Sequence, residues 1–236
     1  MLTDSHRNLL LDALPKKERD MLRADFEFVH LRSDLVLHES GHRVSDAYFP
    51  TTAVLSLQQS MEDGATIETA SVGREGMTGL PILTGGETMP ARVSVQTAGF
   101  AYRINANNLR IRLDASSVLS QLLLRYTHAL LAQVAQTAGC NRHHALSKQV
   151  CRWLLLNIDR TQSSEITLTQ QTIADTLGVR REGITNVLRQ LHDSGIVRRA
   201  RGCIEILDRS KLEAGSCECY HMLRSEFARM HSAPNI

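Results

Sequence analysis

The chain has no apolar run that approaches the roughly 18 residues needed for a membrane span. Its first 15 residues hold only a three-leucine run and include Asp4 and Asp12, which is unlike a signal or transit peptide. Cysteine is also scarce: the chain has five, an odd number without an export signal, which argues against a disulfide framework. We therefore expect a cytoplasmic protein without a membrane partner.

Motifs of catalysis and cofactor binding are missing as well. The sequence has no Ser/His/Asp or Cys/His arrangement with a local motif, no metal-ligand spacing and no glycine-rich phosphate loop before a helix. Residues 73–79 contain glycines, but they are predicted to form a turn between strands, which lacks a helix dipole. We therefore predict no enzyme activity, no cofactor and no metal. The alternative that stays open is an enzyme, or a nucleotide- or small-molecule-binding module without a DNA role.

The chain has the composition of a folded protein of one or two domains. Its 236 residues are 42% hydrophobic and 22% charged, which excludes a disordered or collagen-like chain. The net charge of +2 is unevenly distributed: residues 1–140 carry 13 Lys/Arg against 15 Asp/Glu, whereas residues 141–209 carry 11 against 7. The basic segment suggests a polyanion as its partner, although a solvated surface could carry the same charge.

Short, partly alternating segments rich in Val, Thr, Ile and aromatics follow a helical region predicted within residues 1–25. Turn-forming groups with glycine separate several of them. This spacing predicts an antiparallel sandwich or a barrel-like roll. The predicted strands are residues 26–31, 35–38, 47–49, 53–57, 66–72, 91–97 and 100–104.

A long helix is predicted at residues 116–139, because apolar residues recur there at three- and four-residue spacing on more than one face. One face can cover the β-domain, and the other is expected to form a dimer interface. The alternative is a central helix packed between two domains of one chain. The residues expected in the dimer interface are Leu119, Leu122, Tyr126, Ala129 and Gln133.

Residues 170–194 have the pattern of two short helices joined by a tight turn, after a further helix predicted at residues 144–159. Thr169 is a good N-cap for the first helix, and Gly178 suits the left-handed turn that ends it. A small residue, Ala174, stands where the two helices would cross. These features predict a helix-turn-helix at residues 170–177 and 181–194.

The exposed face of the second helix carries residue types that suit the reading of base edges in the major groove. Arg181 and Glu182 stand at its N-terminal end, which points at the bases. Residues 196–206 are predicted to form a β-hairpin wing whose arginines lie against phosphates. An ordinary solvated arginine face is the alternative. The predicted DNA-binding residues are Thr169, Gln170, Arg180, Arg181, Glu182, Thr185, Asn186, Arg189, Arg199 and Arg201.

The order of β-roll, long helix and winged helix-turn-helix resembles the CRP/FNR superfamily of bacterial transcription regulators across essentially the full chain. The motifs VGREGMTGLP at 72–81, CNR at 140–142, LGVRR at 177–181 and LEAGSCECY at 212–220 are similar to those of one widespread branch. The resemblance implies an α+β fold with a cyclic-nucleotide-binding-type β-roll at 1–115, a dimerisation helix at 116–140 and a winged helix-turn-helix domain at 141–236. It also implies a homodimer on palindromic double-stranded DNA, with RNA polymerase as a candidate further partner.

The resemblance also bears on the effector. Members that bind cyclic AMP hold its ribose with a Gly-Glu pair and its phosphate with an Arg-Ser pair, where this chain has Met77 and the sequence MPA at 89–91. Methionine cannot neutralise a phosphate, and proline offers no N–H or hydroxyl, so cyclic AMP is not expected in the usual mode. Two nearby arginines could receive another anion or be ordinary surface charges. The candidate effector pocket comprises Arg74, Gly76, Met77, Gly79, Met89, Pro90, Ala91 and Arg92.

The positions of the cysteines bear on an iron–sulfur cluster, the cofactor of FNR-type members. FNR-type members hold an iron–sulfur cluster with four cysteines, most of them near the N-terminus. No cysteine precedes Cys140 here, which excludes that cluster. Cys217 and Cys219 could bind a metal or become oxidised, but two ligands are too few for a site, so we expect structural thiols. The adjacent His143 and His144 have no spacing that requires haem or metal.

Overall fold

The computed structural model describes residues 7–200 and 202–232. Its N-terminal elements are α1 (Leu9–Asp12), α2 (Lys16–Arg23), β1 (Glu27–Leu31), β2 (Val36–His38), β3 (Asp46–Pro50), β4 (Val54–Ser60), β5 (Thr66–Val72), α3 (Pro81–Thr84), β6 (Arg92–Thr97), β7 (Gly99–Asn105) and α4 (Ala106–Ala115). Its C-terminal elements are α5 (Ser117–His143), α6 (Leu146–Thr161), β8 (Glu165–Ile166), α7 (Gln170–Leu177), α8 (Arg181–Asp193), β9 (Val197–Ala200), β10 (Cys203–Ile206), α9 (Arg209–Ala214) and α10 (Glu218–Ser232). Among the described residues, no helix combines the length and apolar character that a bilayer crossing would require.

Two antiparallel sheets form the β-domain, with strand orders β1-β7-β3 and β2-β6-β4-β5. Their apolar side chains meet in one core, which α1, α2, α4 and the inner face of α5 complete. Each predicted strand overlaps a strand of this domain. Strand β4 continues three residues past its predicted end, because the polar residues 58–60 still pair with β5. Residues 73–79, predicted as a turn between strands, lead instead into the short helix α3.

Helix α5 links the two halves of the chain. It begins after Ser116, whose side chain accepts a hydrogen bond from the Leu119 N–H, and it runs for 27 residues. The predicted end at Gly139 is wrong by four residues, since the helix passes through this glycine and ends at His143. Helix α10, which the sequence pattern did not predict, packs along α5 and contributes Met230 to the β-domain core.

The C-terminal domain is built from α6 to α9 and a three-stranded sheet of order β8-β10-β9. Its core contains Trp153, Leu154, Ile173, Ile184 and Leu188. Helix α7 has its predicted bounds, and α8 ends one residue earlier than predicted. The predicted wing is present as the hairpin of β9 and β10, to which β8 adds an unpredicted third strand.

The C-terminal domain also rests on the β-domain. Arg160 of α6 donates from Nε to Glu75 Oε1 at 2.7 Å and from Nη1 to Ser71 Oγ at 2.7 Å. Gly73 leaves room for this arginine, because a Cβ there would lie 2.6 Å from the Arg160 Cβ. The turn between α7 and α8 touches β5 as well, where a Cβ on Gly178 would lie 3.2 Å from Ile67 Cδ1.

Candidate nucleic-acid interface

The angle between α7 and α8 is set by local hydrogen bonds. Thr169 caps α7 by accepting the Thr172 N–H at 3.0 Å. Gly178 ends the helix with a φ of +64°, a left-handed conformation that favours glycine. The Val179 N–H then bonds to Ala174 O at 3.0 Å, and α8 begins two residues later.

Helix α8 buries one face and presents the other to solvent. Its buried side chains are Ile184, Val187, Leu188 and Leu191. Its exposed side chains include Arg181, Glu182, Asn186 and Arg189, and exposed Arg180 directly precedes the helix. Arg189 Nη2 donates to Asn186 Oδ1 at 2.7 Å, so the Asn186 amide has a defined orientation before any ligand arrives.

Two further predicted DNA-binding residues contact each other. Thr185 Oγ1 lies 2.7 Å from Gln170 Oε1 and 3.0 Å from Arg181 O. These contacts tie the start of α7 to the first turns of α8. Thr185 and Gln170 therefore help to fix the relative position of the two helices, a role separate from their predicted contact with DNA.

The described arginines of the wing differ in their hydrogen-bond partners. Arg198 Nη1 donates across the hairpin to Glu205 Oε2 at 2.6 Å. Arg199 is half-buried, and its Nε has no hydrogen-bond partner within residues 7–200 and 202–232. Arg201, also predicted to bind DNA, lies outside the described residues. The pairing with Glu205 therefore distinguishes Arg198 from Arg199, whose buried Nε has no such partner among the described residues.

An open cleft of about 1090 Å³ lies between the start of α7, helix α8 and the wing. It brings together Thr169, Gln170, Arg181 and Arg199, and no acidic side chain is among its described lining residues. Its unpredicted members are Gln171, His192, Ala200 and Gly202. His192 stands in the last turn of α8, directly before the wing. Its position between two predicted DNA-binding elements is the sequence signal that could have identified it. A cleft with two arginines and no acid suits a polyanion.

The predicted effector residues do not form one pocket. Met89, Pro90 and Ala91 line an apolar groove of about 500 Å³ between the β-domain and α5, opposite Thr127 and Leu131. No described residue that lines this groove carries a charge.

Gly76 and Met77 lie instead in the core beneath α5. Met77 is fully buried, and its carbonyl accepts a 2.7 Å hydrogen bond from the Tyr126 hydroxyl. Burial raises the pKa of the Tyr126 phenol far above its ordinary value, which keeps the hydroxyl protonated as a donor. A Cβ on Gly76 would lie 2.4 Å from the Tyr126 ring, so this contact requires glycine.

The other three predicted effector residues are also outside the groove. Half-buried Arg92 pairs through Nε with Glu39 at 3.3 Å. Arg74 is buried, and Gly79 packs its left-handed backbone against Ala47. Grouping these eight residues into one pocket was therefore wrong, because the chain turns into α3 between them.

The predicted dimer stripe requires a correction too. Its five residues are at most 2% exposed, because they face the β-domain of the same chain. Gln133 Nε2, for example, donates to Ser71 O at 3.1 Å. They leave no surface for a partner. The exposed large apolar side chains of α5 are instead Val118, Leu124 and Leu131. The five buried residues of the predicted stripe are Leu119, Leu122, Tyr126, Ala129 and Gln133.

Comparisons with known proteins give a family model and a shared fold. Residues 148–214 match the model of the Crp-like helix-turn-helix domain. A putative transcriptional regulator of the CRP/FNR family from Eubacterium rectale is 20% identical, with a TM-score of 0.66 over 87% of this chain and 96% of its own. FixK2 from Bradyrhizobium japonicum is 17% identical, with a TM-score of 0.68 over 81% of this chain and 98% of its own.

A third similar structure is a CRP-family transcriptional regulator from Thermus thermophilus, with a TM-score of 0.62 and 18% identity over 80% of this chain and 96% of its own. No curated protein matches the chain. At these identities the solved structures show the fold, and the family model shows the domain that carries the helix-turn-helix. Residues 148–214 therefore match a Crp-like helix-turn-helix domain, and the chain has a fold similar to that of solved CRP/FNR-family regulators.

Proposed function

We propose that the chain acts as a homodimer that recognises a palindromic DNA sequence with helix α8, and that cyclic AMP does not control it. The observation that carries the proposal is the cleft between α8 and the wing, which holds Arg181 and Arg199 without an acidic neighbour among its described lining residues. Duplex DNA presents phosphates and base edges side by side, so one cleft can meet both.

Within this cleft, the two arginines have different tasks. Arg181 opens α8, and the N-terminal end of a recognition helix lies nearest the base edges. Arg199 lies on the wing, where the phosphate backbone is closer. We expect a smaller contribution from Arg198, because its Nη1 pairs with Glu205 and it is not among the described residues that line the cleft. Glu182 and Asn186, exposed on the same face of α8, are the further candidates for base contacts.

A dimer is supported by the face of α5 that its own chain leaves open. Leu124 and Leu131 are 56% and 64% exposed, and Thr127 and Val134 are half-buried beside them. The steps of three and four residues between them are the spacing of a coiled-coil seam. A second copy of α5 presents the same apolar face, so the two can cover each other. We therefore propose the dimer contact on this face rather than on the stripe that begins at Leu119.

The absence of control by cyclic AMP follows from the groove beside α5. A cyclic phosphate carries a negative charge, and no described side chain that lines the groove is cationic. Phosphate would lose water there without gaining charge-assisted hydrogen bonds. Any effector of this groove must bind through other chemistry.

Contacts between the β-domain and the C-terminal domain can couple a change in the β-domain to the position of α8. Arg160 joins α6 to the β-domain through Glu75, and Gly178 of the helix-turn-helix touches Ile67 of β5. A shift of the β-domain against α5 would therefore alter the position of α8. Such a population shift changes the distance between the two α8 helices of a dimer. Both helices can bind only when this distance matches half-sites about 34 Å apart.

A gel shift against fragments of genomic DNA tests this proposal. We expect the wild-type chain to retain a few fragments in the presence of excess random-sequence DNA, and to sediment as a dimer. A chain that retains no fragment selectively would instead be a small-molecule-binding module without a DNA role, and a monomer at micromolar concentration would refute the dimer.

A further inference from the structure

Four side chains that can ligate a metal meet where α5, α6 and α10 join. They are Cys140, His144, Cys217 and Cys219, and their ligand atoms all lie within 4.8 Å of one another. The first two stand at the end of α5 and the last two at the start of α10, about 75 residues later in the chain. The two C-terminal cysteines alone are too few ligands for a metal, and the fold brings Cys140 and His144 to them.

The four residues form a compact site of their own. The three cysteines are at most 3% exposed and make a buried cluster separate from the two main cores. All three are free thiols, and the His144 side chain is 20% exposed at the edge of the cluster. Three thiols and one imidazole are the ligand set of a closed structural zinc site.

Two distances between the ligand atoms already match a tetrahedral ion, and none of the others exceeds 4.8 Å. Cys140 Sγ lies 3.6 Å from Cys217 Sγ, and Cys219 Sγ lies 3.5 Å from His144 Nδ1. With Zn–S near 2.3 Å and Zn–N near 2.0–2.1 Å, a tetrahedral site separates its ligand atoms by roughly 3.5–3.8 Å. A disulfide would need the two sulfurs at about 2.05 Å. An iron–sulfur cluster would need its thiolates spread around a larger core.

Neighbouring groups already orient the ligands. His144 Nε2 lies 3.2 Å from Glu218 Oε1, which places the ring proton on Nε2 and leaves the Nδ1 lone pair directed toward the cysteines. Gln136 Nε2 donates to Cys219 Sγ at 2.9 Å. A carboxylate behind a ligating histidine is the usual outer partner of a zinc site.

We propose that Cys140, His144, Cys217 and Cys219 bind one Zn²⁺ per chain in a closed tetrahedral site. Three thiols lose their protons to solvent as the ion binds, and the imidazole ligates in its neutral form. All four positions are filled by protein, so the ion has a structural role. It holds the start of α10 against the end of α5, next to residues 144–145, which join α5 to α6.

The test begins with the full-length wild-type chain, purified under reducing conditions with zinc in the medium. Elemental analysis should find one zinc per chain. After removal of the zinc with a chelator, titration with Co²⁺ should produce thiolate-to-cobalt charge transfer and the intense visible bands of a tetrahedral site. Refilling with zinc should raise the melting temperature, because the ion binds only the folded site.

Variants locate the ion within the chain. Cys217→Ser and Cys219→Ser should each lose the stoichiometric zinc, whereas Cys203→Ser, a half-exposed cysteine of the wing, should retain it. Glu218→Gln should still bind zinc, but its affinity for zinc, measured in competition with a chelator, should be about 10- to 100-fold lower. The cobalt titration of the wild-type chain does not depend on whether any variant folds.

Three results would overturn the proposal. The first is a wild-type chain that holds zinc only substoichiometrically and gives no tetrahedral cobalt spectrum. The second is an equal loss of zinc in Cys203→Ser and Cys217→Ser, which would indicate adventitious binding. The third is a Cys140–Cys217 disulfide found by mass spectrometry in the protein as purified under reducing conditions, because it would remove two of the ligands.

Discussion

At the scale of single residues, the contact between Arg160 and Glu75 is the most buried ion pair described in the chain. The two side chains are 4% and 13% exposed and meet at 2.7 Å. Charges buried to this extent lose most of their hydration, so each depends on the other for its stabilisation. Arg198 and Glu205 form a pair of similar length, 2.6 Å, but they are 62% and 32% exposed.

Arg160→Ala should therefore lower the free energy of unfolding by about 3–5 kcal/mol, because it leaves the Glu75 carboxylate buried without its partner. Arg198→Ala is the matched control and should cost about 0–1 kcal/mol, since water solvates both groups. Urea denaturation of both variants measures the difference. Equal losses would mean that Arg160 contributes only packing.

The two arginines of the cleft provide the second test at this scale. Arg181→Ala should cost about 1–3 kcal/mol on the cognate site and relax the preference at one base position in each half-site. Arg199→Ala should weaken binding to cognate and scrambled duplexes alike, and reduce the salt slope by about one per half-site.

Arg198→Ala is the control for the wing, because its guanidinium is already paired with Glu205. The measurement is a salt titration of binding on cognate and scrambled duplexes. Loss of specificity in Arg199→Ala with full specificity in Arg181→Ala would reverse the roles assigned to helix and wing.

At the scale of elements, helix α5 meets different neighbours around its circumference. One face covers the β-domain, α10 packs along a second, and the face with Leu124 and Leu131 is open. The open face is the one that a partner helix can cover, and its burial removes apolar surface from water.

Replacing Leu124 and Leu131 together with glutamate should produce monomers that retain the fold but lose tight DNA binding. Met222→Glu is the control, because Met222 is exposed to 54% on a different helix and should leave the dimer intact. Sedimentation of both proteins at micromolar concentration decides the matter. A double variant that still sediments as a dimer would place the interface elsewhere.

Elements whose limits are set locally were predictable from the sequence. Thr169 and Gly178 cap α7 with their own neighbours, so α7 has its predicted bounds. The inner and outer faces of α5 could not be told apart, because both are apolar and only the packed β-domain shows which one is covered. The four candidate zinc ligands could not be grouped from the sequence for a similar reason. Cys140 and Cys217 are 77 residues apart in the chain, and only the fold brings them together.

At the scale of the whole molecule, the groove between the β-domain and α5 bears on the proposal that cyclic AMP does not control the chain. Its described lining residues carry no charge, and Arg92 outside it is paired with Glu39. Cyclic AMP should therefore change neither the melting temperature nor the affinity for DNA. A ligand at 100 times its dissociation constant would stabilise the fold by about 2.7 kcal/mol, so a clear thermal shift at modest concentration would contradict this prediction.

In the proposed complex, two copies of α8 read one palindromic DNA site. The most direct measurement is selection of duplexes from a random-sequence pool by the full-length chain, followed by the mass of the complex with the selected duplex. We predict inverted repeats whose half-sites lie about 10–10.5 base pairs apart, bound by two chains per duplex. Selection of no common sequence, or of an asymmetric site bound by a single chain, would contradict the account.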